Sequence, residues 1–313
     1  MRMQPVARHP KRANGSAAPH LEVAERMGSV PRNGTGRLLR RDPGVPRVLR
    51  SAVSSLKARA SRADRRTCRV LKELEQAREV QQQLFPKTLP SLPDWDFAAE
   101  CRPAKAVAGD YYDLFEIRPG LLAVAVGDVS GKGLGPSLLM ATLHGMIRAS
   151  AAEMASNLTG LMRRINRDLE MATPDGMFVT LFLGILDTGT GELRFVNGGH
   201  PAPIVLDRQD SEPTRLLEGG LILGIVSETR YIEGHVSLKP GSMVALFSDG
   251  ITEATDDAGA MLNDQRLLDY MRTEPTRSAR GTLDGVFDFV DRFVGGVDPA
   301  DDKTLVVIRR REG

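Results

Sequence analysis

The chain has 313 residues, enough for one large domain or two ordinary ones, with 41% hydrophobic and 26% charged residues, a balance that suits a globular protein. Its two cysteines, Cys68 and Cys101, exclude a disulfide framework and a thiolate zinc site. The net charge of +2 hides an asymmetry: residues 1–66 carry 16 of the 42 basic side chains and only 4 of the 40 acidic ones, so a basic arm precedes an acidic body.

Residues 1–50 are rich in Arg, Gly and Pro and lack a hydrophobic period, which predicts a basic disordered arm. Such an arm is a solvated tail or a contact for nucleic acid or an anionic membrane. No aromatic residue interleaves its arginines to stack bases. No charged leader is followed by an apolar stretch, and the longest apolar runs are too short to span a bilayer. A cytoplasmic protein is expected.

Residues 51–90 read as an amphipathic or coiled-coil linker helix. Leu56, Ala60, Ala63, Thr67, Val70, Leu74, Ala77, Gln81 and Leu84 recur at heptad spacing, and Pro86 and Pro90 close the segment. With Ala, Thr and Gln in its seam, this helix either pairs weakly in a homodimer through residues 54–85 or packs on the domain behind it.

A globular domain is expected over residues 91–313. Leu121–Val126 reads as a buried strand, followed by a Gly-rich turn and a helix near Pro136–Ser150. A second helix follows at Leu161–Met171. Phe178–Leu186 and Glu192–Val196 are strands joined by the hairpin turn Asp187-Thr-Gly-Thr-Gly191. Ala202–Leu206, Met243–Phe247 and Leu305–Ile308 are further strands, and Leu283, Val286, Phe287, Val290, Phe293 and Val294 mark a late helix. Strands in hairpins and helices in pairs predict an α+β layered fold in place of an alternating parallel sheet.

Four short segments put an acid in a tight turn or at a strand end: Gly109–Asp113, Gly127–Gly133, Ser248–Glu253 and Asp301–Thr304. Gathered carboxylates beside glycines suit a hard divalent cation such as Mg²⁺ or Mn²⁺. A single Asp-Gly pair is more often an ordinary turn, and spacing alone does not bring the four segments together. Lys132 resembles a phosphate-loop fragment but lacks the G-x-x-x-x-G-K-[ST] frame, which argues against nucleotide binding. His200 reads as a turn or supporting residue in preference to a general acid. His144 reads as structural.

In order, Gly109–Asp113, Asp128–Gly133 with Leu138–Ala141, Met177–Thr180, Asn197–Pro201, Asp249–Ala254 and Asp301–Thr304 resemble the motif series of the PPM/PP2C-type phosphatases, bacterial branch, with its RsbU and SpoIIE serine phosphatases. Ala108 stands where that series usually has a second glycine. The resemblance implies a PP2C-like β-sandwich of two antiparallel sheets flanked by helices, preceded by the long helix. It implies a metal-dependent protein serine/threonine phosphatase with two Mg²⁺ or Mn²⁺ ions that activate a hydroxide to attack phosphorus. It assigns Asp110, Asp128, Asp249 and Asp301 as metal ligands together with the Val129 carbonyl. Glu253 and Asp302 are expected in supporting positions, and Lys105 as a phosphate-binding residue. The implied substrate is a phosphorylated anti-sigma-factor antagonist. A catalytically inactive phosphoprotein-binding module is the rival reading, and retention of the aspartates argues against it.

Overall fold

The computed structural model describes residues 47–174, 176–207, 212–273 and 278–312; within 47–64, Ser55 is the one residue described beyond its backbone. The expected arm therefore lies almost entirely outside the described residues, as does any contact it makes. The side chains of Leu56, Ala60 and Ala63 lie outside them too. The chain divides into two units, residues 1–66 and 67–313. In the first, the described residues are helical from Arg47 onward, the opening part of α1 (Arg47–Gln82). The second carries both sheets and the remaining helices.

Two sheets form its centre. One has the order β1 (Trp95–Arg102), β11 (Lys303–Arg310), β10 (Met243–Phe247), β6 (Ile204–Leu206), β7 (Thr214–Arg215), and all its pairings are antiparallel. The other runs β2 (Tyr111–Arg118), β3 (Leu121–Val129), β4 (Val179–Asp187), β5 (Glu192–Gly198), β8 (Gly219–Gly220), with β9 (Gly234–Ser237) also on β5. Its two-residue β5–β8 pairing is parallel, a small departure from the fully antiparallel expectation.

Three apolar layers follow from strand alternation. Leu122, Val124 and Val126 of β3 point between the sheets, where they meet Val244 and Leu246 of β10 and Val306 and Ile308 of β11. Ala123 and Ala125 point the other way, against Leu139, Leu143 and Ile147 of α2 (Leu134–Met154) and Leu158, Leu161 and Ile165 of α3 (Leu158–Ala172). On the far side Ala245, Phe247, Leu305 and Val307 pack against α5 (Asn263–Thr273) and α6 (Ala279–Val294). Both faces of each central strand are buried, so these strands read as unbroken apolar runs.

The heptad seam ends inside this body. Leu74 and Ala77 are half-buried and Gln81 is buried, while Thr67 and Val70 are exposed. Leu84 and Phe85, just past the helix, pack on the layer under α2 and α3. The last turns of the stripe are thus covered by the chain's own domain. Gln81 makes two bonds there: its Nε2 donates to the Ala108 carbonyl at 2.7 Å, and the Ala108 N–H donates to its Oε1 at 2.9 Å. Replacing Gln81 with Leu removes both partners of a buried peptide group, at about 1–3 kcal/mol for each group left unmet. Urea unfolding of Gln81→Leu should show a loss of about 2–6 kcal/mol, whereas an exposed neighbour such as Gln82→Leu should lose little.

Candidate metal centre

Antiparallel pairing brings the four acid segments to one end of the sandwich. Asp110 immediately precedes β2, whose first residue Tyr111 pairs with Gly127, next to Asp128 near the end of β3. In the other sheet Phe247 ends β10 opposite Leu305, so Asp249, the first residue of the short helix α4 (Asp249–Thr252), lies beside Asp301 and Asp302 ahead of β11. Two pairs of acids, one from each sheet, therefore share one electrostatic site.

Two glycines permit this approach. A Cβ on Gly109 would stand 2.9 Å from the Val129 carbonyl oxygen and 3.6 Å from Asp128 Oδ1. A Cβ on Gly250 would stand 2.0 Å from the Asp302 carbonyl oxygen. Any side chain at either position would push one acid-bearing segment off its neighbour. The Gly-Asp and Asp-Gly pairs are thus more than ordinary turns: they are close-approach points.

The remaining supports are polar. Thr304 Oγ1 donates to Asp110 Oδ2 at 2.6 Å, and the Thr304 N–H donates to Ser248 Oγ at 2.9 Å. Asp302 accepts the Ala104 N–H on one oxygen (2.7 Å) and the Gly109 N–H on the other (2.6 Å), which pins the segment carrying Asp110. Ser130 is tied to Phe178 by two bonds through the backbone of both segments and its own Oγ. Thr180 pairs with Asp128 in the sheet and contacts His200 Nδ1 through Oγ1 at 2.9 Å. His200 sits in a turn closed by Asn197, whose Oδ1 accepts the His200 N–H at 2.8 Å. Burial lowers its pKa to about 3, so the ring is neutral, in keeping with a supporting place in the site.

Lys105 is exposed and makes no polar contact with any described residue. Glu253 is also exposed, on the wall of a cleft of about 480 Å³ that Asp301, Gly250, Lys132 and Arg102 also line. His144 lies 3.9 Å from Asp113, a fully buried acid that Arg148 grips with two bonds of 2.6 and 2.7 Å. That cluster ties α2 to β2. Gln81, Ser248 and Thr304 escaped sequence reasoning because a polar residue inside a regular element carries no local mark of its partner. Thr304, fourth in its motif, was the nearest to a visible signal.

Burial and mutual repulsion raise the acids' pKa values. Asp110 is held well above the usual carboxylate range, first by burial and then by the charge of Asp128, with Thr304 and Ser248 opposing. Asp128 is pushed up to about 7 by burial and by Asp249 and Asp301. Asp249 is raised by burial, Glu253 and Asp301. Among the described residues, no three His, Cys, Asp or Glu side chains are posed as a finished metal cage. Acids that repel do not converge unaided, and Asp301 turns to Lys132 at 2.8 Å. The donor set nonetheless fits a hard cation: carboxylate oxygens from both sheets, with the Val129 carbonyl held close to Gly109 and Asp128.

A two-sheet sandwich with helices on its outer faces defines the PP2C-like fold. The SiaA-PP2C domain of Pseudomonas aeruginosa shares it, with a TM-score of 0.67 at 18% identity over 78% of this chain and 98% of that one. The model of the stage II sporulation protein E (SpoIIE) family matches residues 118–311, and the chain belongs to that family. Protein IcfG of Synechocystis is 28% identical over 264 residues, 76% of this chain and 41% of IcfG. The phosphoserine phosphatase RsbU of Bacillus subtilis is 28% identical over 239 residues, 76% of this chain and 70% of RsbU. The chain thus spans less than half the length of IcfG.

The raised acids make a stability prediction. Unfolded Asp128 loses its proton near the ordinary aspartate value of 3.8, but the folded residue keeps it until about 7. The folded state therefore binds more protons between these values, and its stability falls as pH rises through that window. Calorimetry in EDTA should show this fall, and Asp128→Asn should flatten it and raise the melting temperature at pH 7.5.

Proposed function

We propose that this chain hydrolyses phosphoserine and phosphothreonine on a signalling protein. The observation that carries the reading is the meeting of four motif acids from two sheets at one end of the sandwich, with Gly109 and Gly250 allowing the contact. Asp110, Asp128, Asp249, Asp301 and the Val129 carbonyl are the proposed ligands of two Mg²⁺ or Mn²⁺ ions. Such ions, when bound, supply a water of lowered pKa and neutralise phosphoryl oxygens.

The protein's own part is to hold the ligands. Asp128 lies at the centre, its pKa raised by burial and by acids from the other sheet. Thr304 and Ser248 orient Asp110. Asp302 has both oxygens occupied by backbone N–H groups, which suits it to positioning more than to direct ligation. Glu253, exposed on the cleft wall, is placed to support Asp249, whose pKa it raises. The cleft admits the chain that carries the phosphate. Cys101 lies against Thr304 and near Asp110, but burial and the Asp110 charge push its thiol well above the usual range, so it stays protonated and a direct attack by water suits the site.

The proposed substrate is a small phosphorylated anti-sigma-factor antagonist, in line with the likeness to RsbU and SpoIIE phosphatases. Among the described residues no helix is long and apolar enough to cross a membrane. The part of α1 with exposed Val70 and Leu71 is the proposed homodimer contact. Light scattering should give twice the chain mass, and a monomer at every concentration would end that part of the reading.

Hydrolysis of p-nitrophenyl phosphate should require added Mn²⁺ or Mg²⁺ and stop with EDTA. Asp128→Ala and Asp249→Ala should each lower the rate by more than about a hundredfold, beyond the usual loss from supporting residues around a metal. Circular dichroism should show the fold retained. Metal-independent turnover, or near-normal rates in either variant, would refute the site.

A further inference from the structure

Lys132 is the cation that the proposed catalytic site keeps for itself. It stands four residues after Asp128, in the turn between β3 and α2. Gly131 and Gly133 on either side have φ of +94° and +98°, the left-handed region that lets the turn fold back over the site. Its Nζ donates to Asp301 Oδ2 at 2.8 Å and to the Ala300 carbonyl. Among the described residues no other cationic side chain pairs with Asp110, Asp128, Asp249 or Asp301.

The other cations of the cleft are committed elsewhere. Arg102 pairs with Glu100 and Asp291 and stacks on Phe287 at 3.9 Å. Lys303 pairs with Asp291 at 2.7 Å. Lys132 itself remains 39% exposed, so its ammonium faces the cleft while touching a proposed metal ligand. A lysine is a point charge on a flexible stem with three donors, able to move between anions without backbone change.

We propose that Lys132 holds the substrate's phosphate, its ammonium donating to a non-bridging phosphoryl oxygen and resting on Asp301 when no phosphate is present. This rests on the phosphatase reading above and gives it a phosphate-binding residue. Lys105, the position the motif resemblance points to, is not among the residues that line the cleft. A cation bound at Asp301 would draw on the same carboxylate charge that now holds Lys132, which frees the ammonium for phosphate. Lys132 and the metal thus compete for Asp301, but Lys132 and phosphate attract. The two effects have opposite signs, and that separates this role from a structural one.

The test measures two affinities by calorimetry on the full chain: Mn²⁺ to the metal-free protein, and inorganic phosphate to the Mn²⁺-saturated protein. Lys132→Ala should weaken phosphate binding by about 10- to 100-fold, the range of one charge-assisted hydrogen bond. It should leave Mn²⁺ binding as tight as in the wild type or tighter. Lys132→Arg should keep most of the phosphate affinity, and both variants should melt within a few degrees of the wild type. Unchanged phosphate affinity in Lys132→Ala overturns the proposal. So does equal loss of Mn²⁺ and phosphate binding, a wild type that binds Mn²⁺ but no phosphate, or a larger loss in Lys105→Ala. Neither measurement needs turnover. A wild type that binds Mn²⁺ and phosphate but never cleaves p-nitrophenyl phosphate would therefore defeat the phosphatase reading while still deciding the role of Lys132.

Discussion

Asp110, Asp128, Asp249 and Asp301 repel one another at one end of the sandwich, and much of the surrounding structure holds them there against that repulsion. Burial makes the opposition stronger, because charges in a low-dielectric interior are poorly screened. Burial first and the neighbouring acids second hold the Asp110 and Asp128 carboxyls above the usual carboxylate range. Three apolar layers supply the rigid frame. Glycines with no room for a Cβ bring the acid-bearing turns together, and Thr304, Ser248 and the two oxygens of Asp302 fix their orientation. Such a site gives up stability to keep its carboxylates together, as functional sites commonly do.

The same constraint explains the placing of Lys132. Its contact with Asp301 offsets part of the crowding in the protein by itself. A cluster of acids with no internal cation would have only solvent to soften it. One lysine on a flexible stem softens it and still leaves the carboxylate open to exchange.

Much of this was readable in the chain, and the reasons differ by element. The central strand β3 was legible as Leu121–Val126 because both of its faces are apolar, but its end at Val129 was not, since Gly127 and Asp128 belong to the site and break the apolar run. The helices α2 and α6 showed clear apolar faces. Strand β2 was seen only as a motif, because Tyr111, Asp113 and Glu116 break its apolar pattern: Asp113 is buried and satisfied by Arg148 from α2, a partner 35 residues away. The short strands β7, β8 and β9 hold two to four residues each and had no periodicity to find. For the site, the motif order brought the acids together on paper, whereas their supports are polar contacts between distant segments. The Gln81–Ala108 bonds show the limit well: a glutamine in a heptad seam looks like a weak coiled-coil position, and only the fold shows that it meets a peptide.

That glutamine has a mechanical meaning. Its amide matches the Ala108 peptide donor to acceptor and acceptor to donor, as a neighbouring strand would, two residues before Asp110. The bonded face is buried, so water is not at hand to replace it. A shift that set Val80 in register would leave the peptide bare, and only the next amide, Gln82, could meet it again. Pulling α1 from this loop would therefore break both bonds together, so the joint is a two-pronged latch between the helix and the segment that carries Asp110.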